Sequence, residues 1–136
     1  MRIAIVVLHY ENLKDTSECL ESLIKYLEDG QNQTDVIVVD NGSVKEKAVN
    51  LEKEFQNPSV HFIYSETNQG FARGNNLGFQ YAKHRLHAEI IILANNDLVF
   101  KQADFIERMS REVVKNQIDV AGPIIISIVD KKNQNP

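Results

Sequence analysis

Arg2-Ile3-Ala4-Ile5-Val6-Val7-Leu8 is an almost unbroken aliphatic run, and Val36-Ile37-Val38-Val39 is a second. A strand with one wet face alternates apolar and polar residues. Runs without that alternation belong to strands covered on both faces, as in parallel sheets. Between the two, Leu20, Leu23, Ile24 and Leu27 recur at helical spacing, and Asp15 stands three residues ahead of Glu18 in the manner of a capping box. The three pieces make a β-α-β unit whose helix crosses over the sheet.

The pattern continues downstream. Asp40-Asn41-Gly42-Ser43 supplies a turn, and Ser43 with Glu46 matches the Ser-x-x-Glu box that opens a helix, here with Val44, Ala48, Leu51 and Phe55 as its core face. Asn57-Pro58 ends that helix. Val60 to Tyr64 reads as a third strand and Ser65 to Gly70 as a polar loop, followed by a helix that carries Leu77, Tyr81 and Ala82 inward. Glu89 to Leu93 is a fourth strand, Ile106, Met109 and Val113 mark another amphipathic helix, and Val120 to Val129 is β-rich but broken at Gly122-Pro123. This alternation predicts an α/β fold with a doubly wound, mostly parallel, Rossmann-like sheet. It is expected as one domain over residues 1–129, with a loose polar tail at 130–136.

Bulk properties narrow the partners. The chain has 136 residues, 43% hydrophobic and 25% charged, which suits one globular domain with an ordinary core. Its formal net charge of -4 argues against nucleic acid, which requires a clustered basic face. A single cysteine, Cys19, excludes a disulfide framework and a thiolate zinc site and points to a reducing compartment. No apolar stretch long enough to span a bilayer and no signal-peptide pattern occur. A soluble cytoplasmic protein is expected, with association at the inner membrane face requiring a partner or a region outside this sequence.

Ligands of doubly wound sheets bind beyond the carboxyl ends of the strands, so the loops there hold the candidate residues. Leu93-Ala94-Asn95-Asn96-Asp97-Leu98 follows the fourth strand. Asp97 is placed to hold a divalent cation on a diphosphate, because Mg²⁺ and Mn²⁺ keep several waters and take further ligands from phosphate oxygens. Asn95 and Asn96 are neutral neighbours able to bond ribose or metal-bound water; the bland alternative for Asp97 is a helix cap. Asp40 ends the second strand and could accept from a base imide N–H or a ribose hydroxyl, or simply cap its own turn. His9, Tyr10 and Glu11 follow the first strand, where Tyr10 could lie against a base or seal the core and His9 could touch ligand or be structural.

Asn68-Gln69-Gly70-Phe71-Ala72-Arg73-Gly74-Asn75-Asn76 combines two glycines, an arginine and three asparagines at a helix start. That suits close backbone approach and anion binding, with Arg73 pairing either a phosphate or a surface carboxylate and Asn75 beside it. Its glycine spacing matches neither G-x-G-x-x-G nor G-x-x-x-x-G-K.

Taken in order, the strand ending in His9-Tyr10-Glu11, the Val-Val-Asp-Asn-Gly-Ser stretch at 38–43, the 68–76 stretch and Leu-Ala-Asn-Asn-Asp at 93–97 resemble the family-two glycosyltransferases. The likeness is to the rhamnosyltransferase-like branch that builds surface polysaccharides, and it runs from Arg2 to about Ile126. It implies an A-type glycosyltransferase fold, with Asp40 reading the nucleoside base, Tyr10 near it, and Asn95 to Asp97 matching the metal-binding Asp-x-Asp element with Asp97 as the metal ligand. The family usually shows Thr-Tyr-Asn at His9-Tyr10-Glu11, often an acid at Asn95, and commonly Thr at Leu98.

The resemblance further implies an inverting, Mg²⁺- or Mn²⁺-assisted transfer from a nucleotide-diphosphate sugar to a glycan or lipid-linked acceptor. The catalytic base of such enzymes lies well beyond the metal motif. The expectation is therefore a donor-binding half, cut from a longer enzyme or encoded by a naturally short reading frame, weak or inactive in turnover by itself. An unpaired sheet edge would favour self-association. The rivals are a non-catalytic nucleotide-binding or regulatory module, a phosphoacceptor receiver domain with Asp40 as the acceptor, and a dinucleotide-dependent dehydrogenase, which lacks its glycine fingerprint here.

Overall fold

The computed structural model describes residues 1–27 and 32–134. Four strands, β1 (Arg2–His9), β2 (Gln33–Asp40), β3 (Val60–Tyr64) and β4 (Ile90–Asn95), pair in parallel in the order β3-β2-β1-β4. β1 and β2 are the central strands, and Ile3 to Val7 and Val36 to Val39 are buried throughout, which is why their sequences show no alternation. α1 (Leu13–Leu27) connects β1 to β2, α2 (Val49–Glu54) leads to β3, and α3 (Gly70–His84) leads to β4.

The two faces of the sheet are covered by different helices. His9 bonds Thr16 of α1 and Asp40 bonds the Ala48 N–H just ahead of α2, so these helices lie on the face of the odd-numbered β1 residues. α3 covers the other face, where Ala4, Val6, Ile37 and Val39 pack with Ala82 and Leu86. The sheet is doubly wound, as the alternation predicts. The order of strand addition reverses at β1, with β2 and β3 to one side and β4 to the other, which makes the β1–β4 boundary the switch point at which such sheets open a ligand crevice.

Several element-level expectations are corrected. α2 starts at Val49, not at Ser43, and Val44 is 75% exposed. The capping box does not form because Ser43 and Glu46 serve other partners: Ser43 Oγ accepts from Glu11 N–H, and one Glu46 carboxylate oxygen accepts from the N–H groups of Asn12 and Leu13. α1 starts at Leu13, with Asn12 Oδ1 accepting from Asp15 N–H, so Asp15 lies inside the first turn. Leu77 faces outward at 39% exposure, and the inward face of α3 is Gly74, Asn75, Gly78 and Ala82.

The chain divides into two compact units, 1–103 and 104–136. In the second, α4 (Phe105–Asn116) closes at Gln117 in the left-handed conformation. The β-rich stretch 120–129 forms no strand there. Val120, Ile124 and Val129 are exposed, and a lone bridge joins Ile126 to Asn133. Pro123 has no N–H to donate to a strand ladder. Residues 135 and 136 of the expected tail lie outside the described residues.

Candidate functional site

Parallel pairing brings the carboxyl ends of all four strands to one rim. His9 is opposite Asp40, Asp40 is opposite Tyr64, and Leu8 is opposite Asn95. The residues picked from sequence after β1, β2 and β4 therefore emerge side by side.

Tyr10 is half exposed and lines an open hollow with Glu11, Asn12, Lys45 and Glu46. Glu11 and Asn12 have left-handed backbone, with φ of 48° and 87°, a costly conformation for such residues that the loop's bonds hold in place. The Glu11 carboxylate accepts from the N–H groups of Val44, Lys45 and Glu46. Those donors, led by Glu46 and Val44, hold its carboxyl below the ordinary glutamate range.

Asp40 is buried, and its two oxygens accept from Ser43 N–H and Ala48 N–H at 2.8 Å each. These are the bonds of a turn-capping aspartate, and they fix the loop between β2 and α2. Gly42, at φ 76°, closes the turn against the Thr67–Asn68 backbone, where a Cβ would fall 2.3 Å from the Thr67 carbonyl carbon. Tyr64 donates to Glu52, and burial together with that carboxylate pushes its phenol up.

The 68–76 stretch reaches the rim from the opposite face of the sheet. Asn41 donates to Asn68 Oδ1 and the Gly70 carbonyl and accepts from Gln69 N–H. Arg73 is exposed and makes no ion pair among the described residues. Asn75 is buried, with one hydrogen of its amide donated to the Phe71 carbonyl of its own helix.

Asn95 and Asp97 are exposed at the switch point, next to the amino-terminal half of α1. Burial, with the Asp97 carboxylate adding to it, pushes the Cys19 thiol up to about 12, which keeps this cysteine protonated and inert. Asn96 turns back from the rim and donates to Thr16 Oγ1 at 2.9 Å. Beyond it, Phe100 N–H donates to Ser22, Lys25 to the Phe100 carbonyl, and Tyr26 to the Gln102 carbonyl, so the segment after β4 is fastened along α1.

No group of three or more His, Cys, Asp or Glu side chains able to enclose a cation exists among the described residues. One exposed carboxylate with no histidine or thiolate beside it suits Mg²⁺ or Mn²⁺, which would draw its other ligands from phosphate and water, and does not suit zinc.

His9 takes the structural one of its two readings: it is fully buried, with both ring nitrogens bonded inside the protein. Sequence reasoning missed the role of Glu46, whose spacing from Ser43 suggested a local cap, and of Thr16, which carries no motif. Neither role is signalled locally: Asn12 caps α1 through Asp15 N–H, and Glu46 reaches the N–H groups of Asn12 and Leu13 from the loop after β2.

The pattern of glycosyl transferase family 2 matches residues 4–136. The chain is 32% identical to the dTDP-rhamnosyl transferase RfbF of Shigella flexneri, over 98% of this chain and 41% of that protein. It is 26% identical to the low-salt glycan biosynthesis hexosyltransferase Agl10 of Haloferax volcanii, over 77% of this chain and 31% of that protein. Among solved structures, residues 1–349 of S. aureus TarS superpose with a TM-score of 0.70 at 18% identity, covering 96% of this chain and 40% of that one. The same fragment bound to UDP-GlcNAc superposes at 0.68 and 19% identity, covering 86% and 32%. The chain thus spans less than half the length of each of these proteins, shares the A-type glycosyltransferase fold, and belongs to glycosyl transferase family 2.

Proposed function

We propose that this chain is the donor-binding part of an inverting, metal-assisted glycosyltransferase that takes a nucleoside diphosphate sugar and serves a glycan or lipid-linked acceptor. The supporting observation is the exposed Asp97 carboxylate at the switch point beside β1 and β4, on the same rim as Tyr10 and Asp40. The names of the relatives, a dTDP-rhamnosyl and a hexosyltransferase, and the UDP-GlcNAc bound by TarS, favour a hexosyl or deoxyhexosyl donor.

In this proposal Tyr10 offers its ring to the base, and Asp40 uses its remaining lone pairs toward the base or ribose while keeping the β2 loop closed. Asn95 offers its exposed amide to the ribose or to metal-bound water, Asn96 takes part through the turn it anchors to Thr16, and Arg73 and Asn75 belong to the start of α3, where Arg73 is available to pair a phosphate. Asp97 would hold Mg²⁺ or Mn²⁺, which supplies charge to stabilise the departing diphosphate. Each of these groups favours the transition state to the extent that it bonds the leaving group more strongly as negative charge builds there. Asp104, Glu107, Glu112 and Asp119 follow the metal loop too closely to serve as base by motif, and none is assigned that role.

Calorimetric titration with UDP and dTDP tests this. Binding should require Mn²⁺ or Mg²⁺ and should be lost in Asp97→Ala; metal-independent binding, or full binding by the variant, would refute the site. Slow donor hydrolysis with Mn²⁺ would favour the enzyme over a purely regulatory nucleotide-binding module.

A further inference from the structure

We propose that Thr16 and His9 are positioning residues for Asp97, acting through a buried hydrogen-bond chain that fastens the β4 loop to the β2 loop; this rests on Asp97 belonging to the donor site proposed above. The chain runs Asn96 Nδ2 to Thr16 Oγ1 (2.9 Å), Thr16 Oγ1 to His9 Nδ1 (2.7 Å), and His9 Nε2 to the Glu46 carbonyl (2.7 Å). The roles at its two ends are fixed, because an amide nitrogen only donates and a carbonyl only accepts.

His9 Nε2 must therefore carry a hydrogen. In a neutral ring Nδ1 is then an acceptor, so the Thr16 hydroxyl hydrogen is shared between it at 2.7 Å and the Asn12 carbonyl at 3.0 Å, and the hydroxyl lone pairs receive the Asn96 amide. Thr16 and His9 are both fully buried, so water does not compete for these bonds.

The β4 turn depends on this anchor because its local bonds are weak. Leu98 N–H reaches the Asn95 carbonyl at 3.4 Å, and Cys19 Sγ reaches the same carbonyl at 3.9 Å. The Asn96–Thr16 bond is the shortest hydrogen bond among the described residues that holds residues 95–97 to α1. Asp97 is the next residue, so the orientation of Asn96 sets where the carboxylate points. At the other end Glu46 belongs to the loop that Glu11 and Asp40 hold closed. One side-chain chain thus joins the proposed metal-binding turn to the base side of the rim.

Thr16→Val keeps the shape and removes the hydroxyl, and Thr16→Ser keeps the hydroxyl. NMR relaxation on the ligand-free chain should show the amides of Asn96 and Asp97 broadened by exchange in Thr16→Val and restored in Thr16→Ser. Mg²⁺-dependent affinity for UDP should fall about tenfold in Thr16→Val, the scale of one lost buried hydrogen bond, with metal-free uridine affinity unchanged.

Unchanged Asn96 and Asp97 amides would overturn the proposal, as would an equal loss of metal-dependent and metal-free binding, the mark of a merely structural residue. If Thr16→Val loosens the turn while the parent binds no UDP at any Mg²⁺ concentration, the anchoring chain is supported and the donor-site assignment fails. Should Thr16→Val not fold, ¹⁵N shifts of the His9 ring in the parent decide: the Nε2–H tautomer supports the chain and the Nδ1–H tautomer overturns it.

Discussion

Glu46 holds three neighbours at once. Its carboxylate caps the start of α1, its N–H donates to Glu11, and its carbonyl accepts from His9. The first N–H groups of a helix have no partner within it, and supplying one stabilises the helix. Glu46→Ala should therefore lower stability by about 1 kcal/mol, read as a reduced urea midpoint at unchanged m-value. Glu11 gives the site an acid limit. Its carboxyl is lowered in the folded chain by backbone N–H donors, so its contribution is complete above the ordinary glutamate value and is lost as pH falls through the lowered one. Glu11→Gln should weaken the chain at neutral pH and flatten its loss of stability on acidification, measured by urea unfolding between pH 7 and 3; parallel curves for variant and parent would contradict this.

The strands were legible because burial on both faces leaves an aliphatic run that no other element explains, as in Ile3 to Val7 and Val36 to Val39. α3 was legible in position and misread in orientation. Its inward face consists of small residues, which carry no hydrophobic periodicity, while Leu77 on the outer side does. α2 was misread because two residues at capping-box spacing are each used by a distant loop, a preference that local sequence does not contain. At the candidate site, the rim positions of Tyr10, Asp40, Asn95 and Asp97 could be read from strand ends alone, whereas the buried Thr16–His9 link depends on the pairing of α1 with two loops. The helix–sheet contact can be tested at Gly78, where a Cβ would lie 2.3 Å from Val6 Cγ1 and 2.9 Å from Val39 Cγ2. Alanine gains about 1 kcal/mol in helix propensity, but displacing α3 from the sheet costs about 1–3 kcal/mol. Gly78→Ala should be net destabilising by urea unfolding, and a stabilised variant would show that α3 can withdraw without loss.

Taken whole, the first unit carries the rim with every candidate ligand group except the acceptor side, and the second carries α4 and an exposed apolar stretch at 118–129. The chain spans 31% and 41% of its two named relatives. Turnover by this chain with a sugar acceptor is therefore expected to be weak or absent even where donor binding is intact, and product analysis after prolonged incubation checks it. β4 is an edge strand with Leu93 53% exposed, and unpaired edges recruit further strands. Sedimentation velocity should accordingly show concentration-dependent self-association; a monomer at every concentration would rule it out. The central claim is that the loops after β1, β2 and β4 form one cation-dependent diphosphate site. Paramagnetic broadening by Mn²⁺ in the presence of UDP or dTDP tests it most directly. The amides of Tyr10, Asn95, Asn96 and Asp97 should broaden together while Arg2, Asp35 and His61 at the opposite end of the sheet stay sharp, and broadening centred on that opposite end, or scattered over surface carboxylates without regard to the nucleotide, would contradict it.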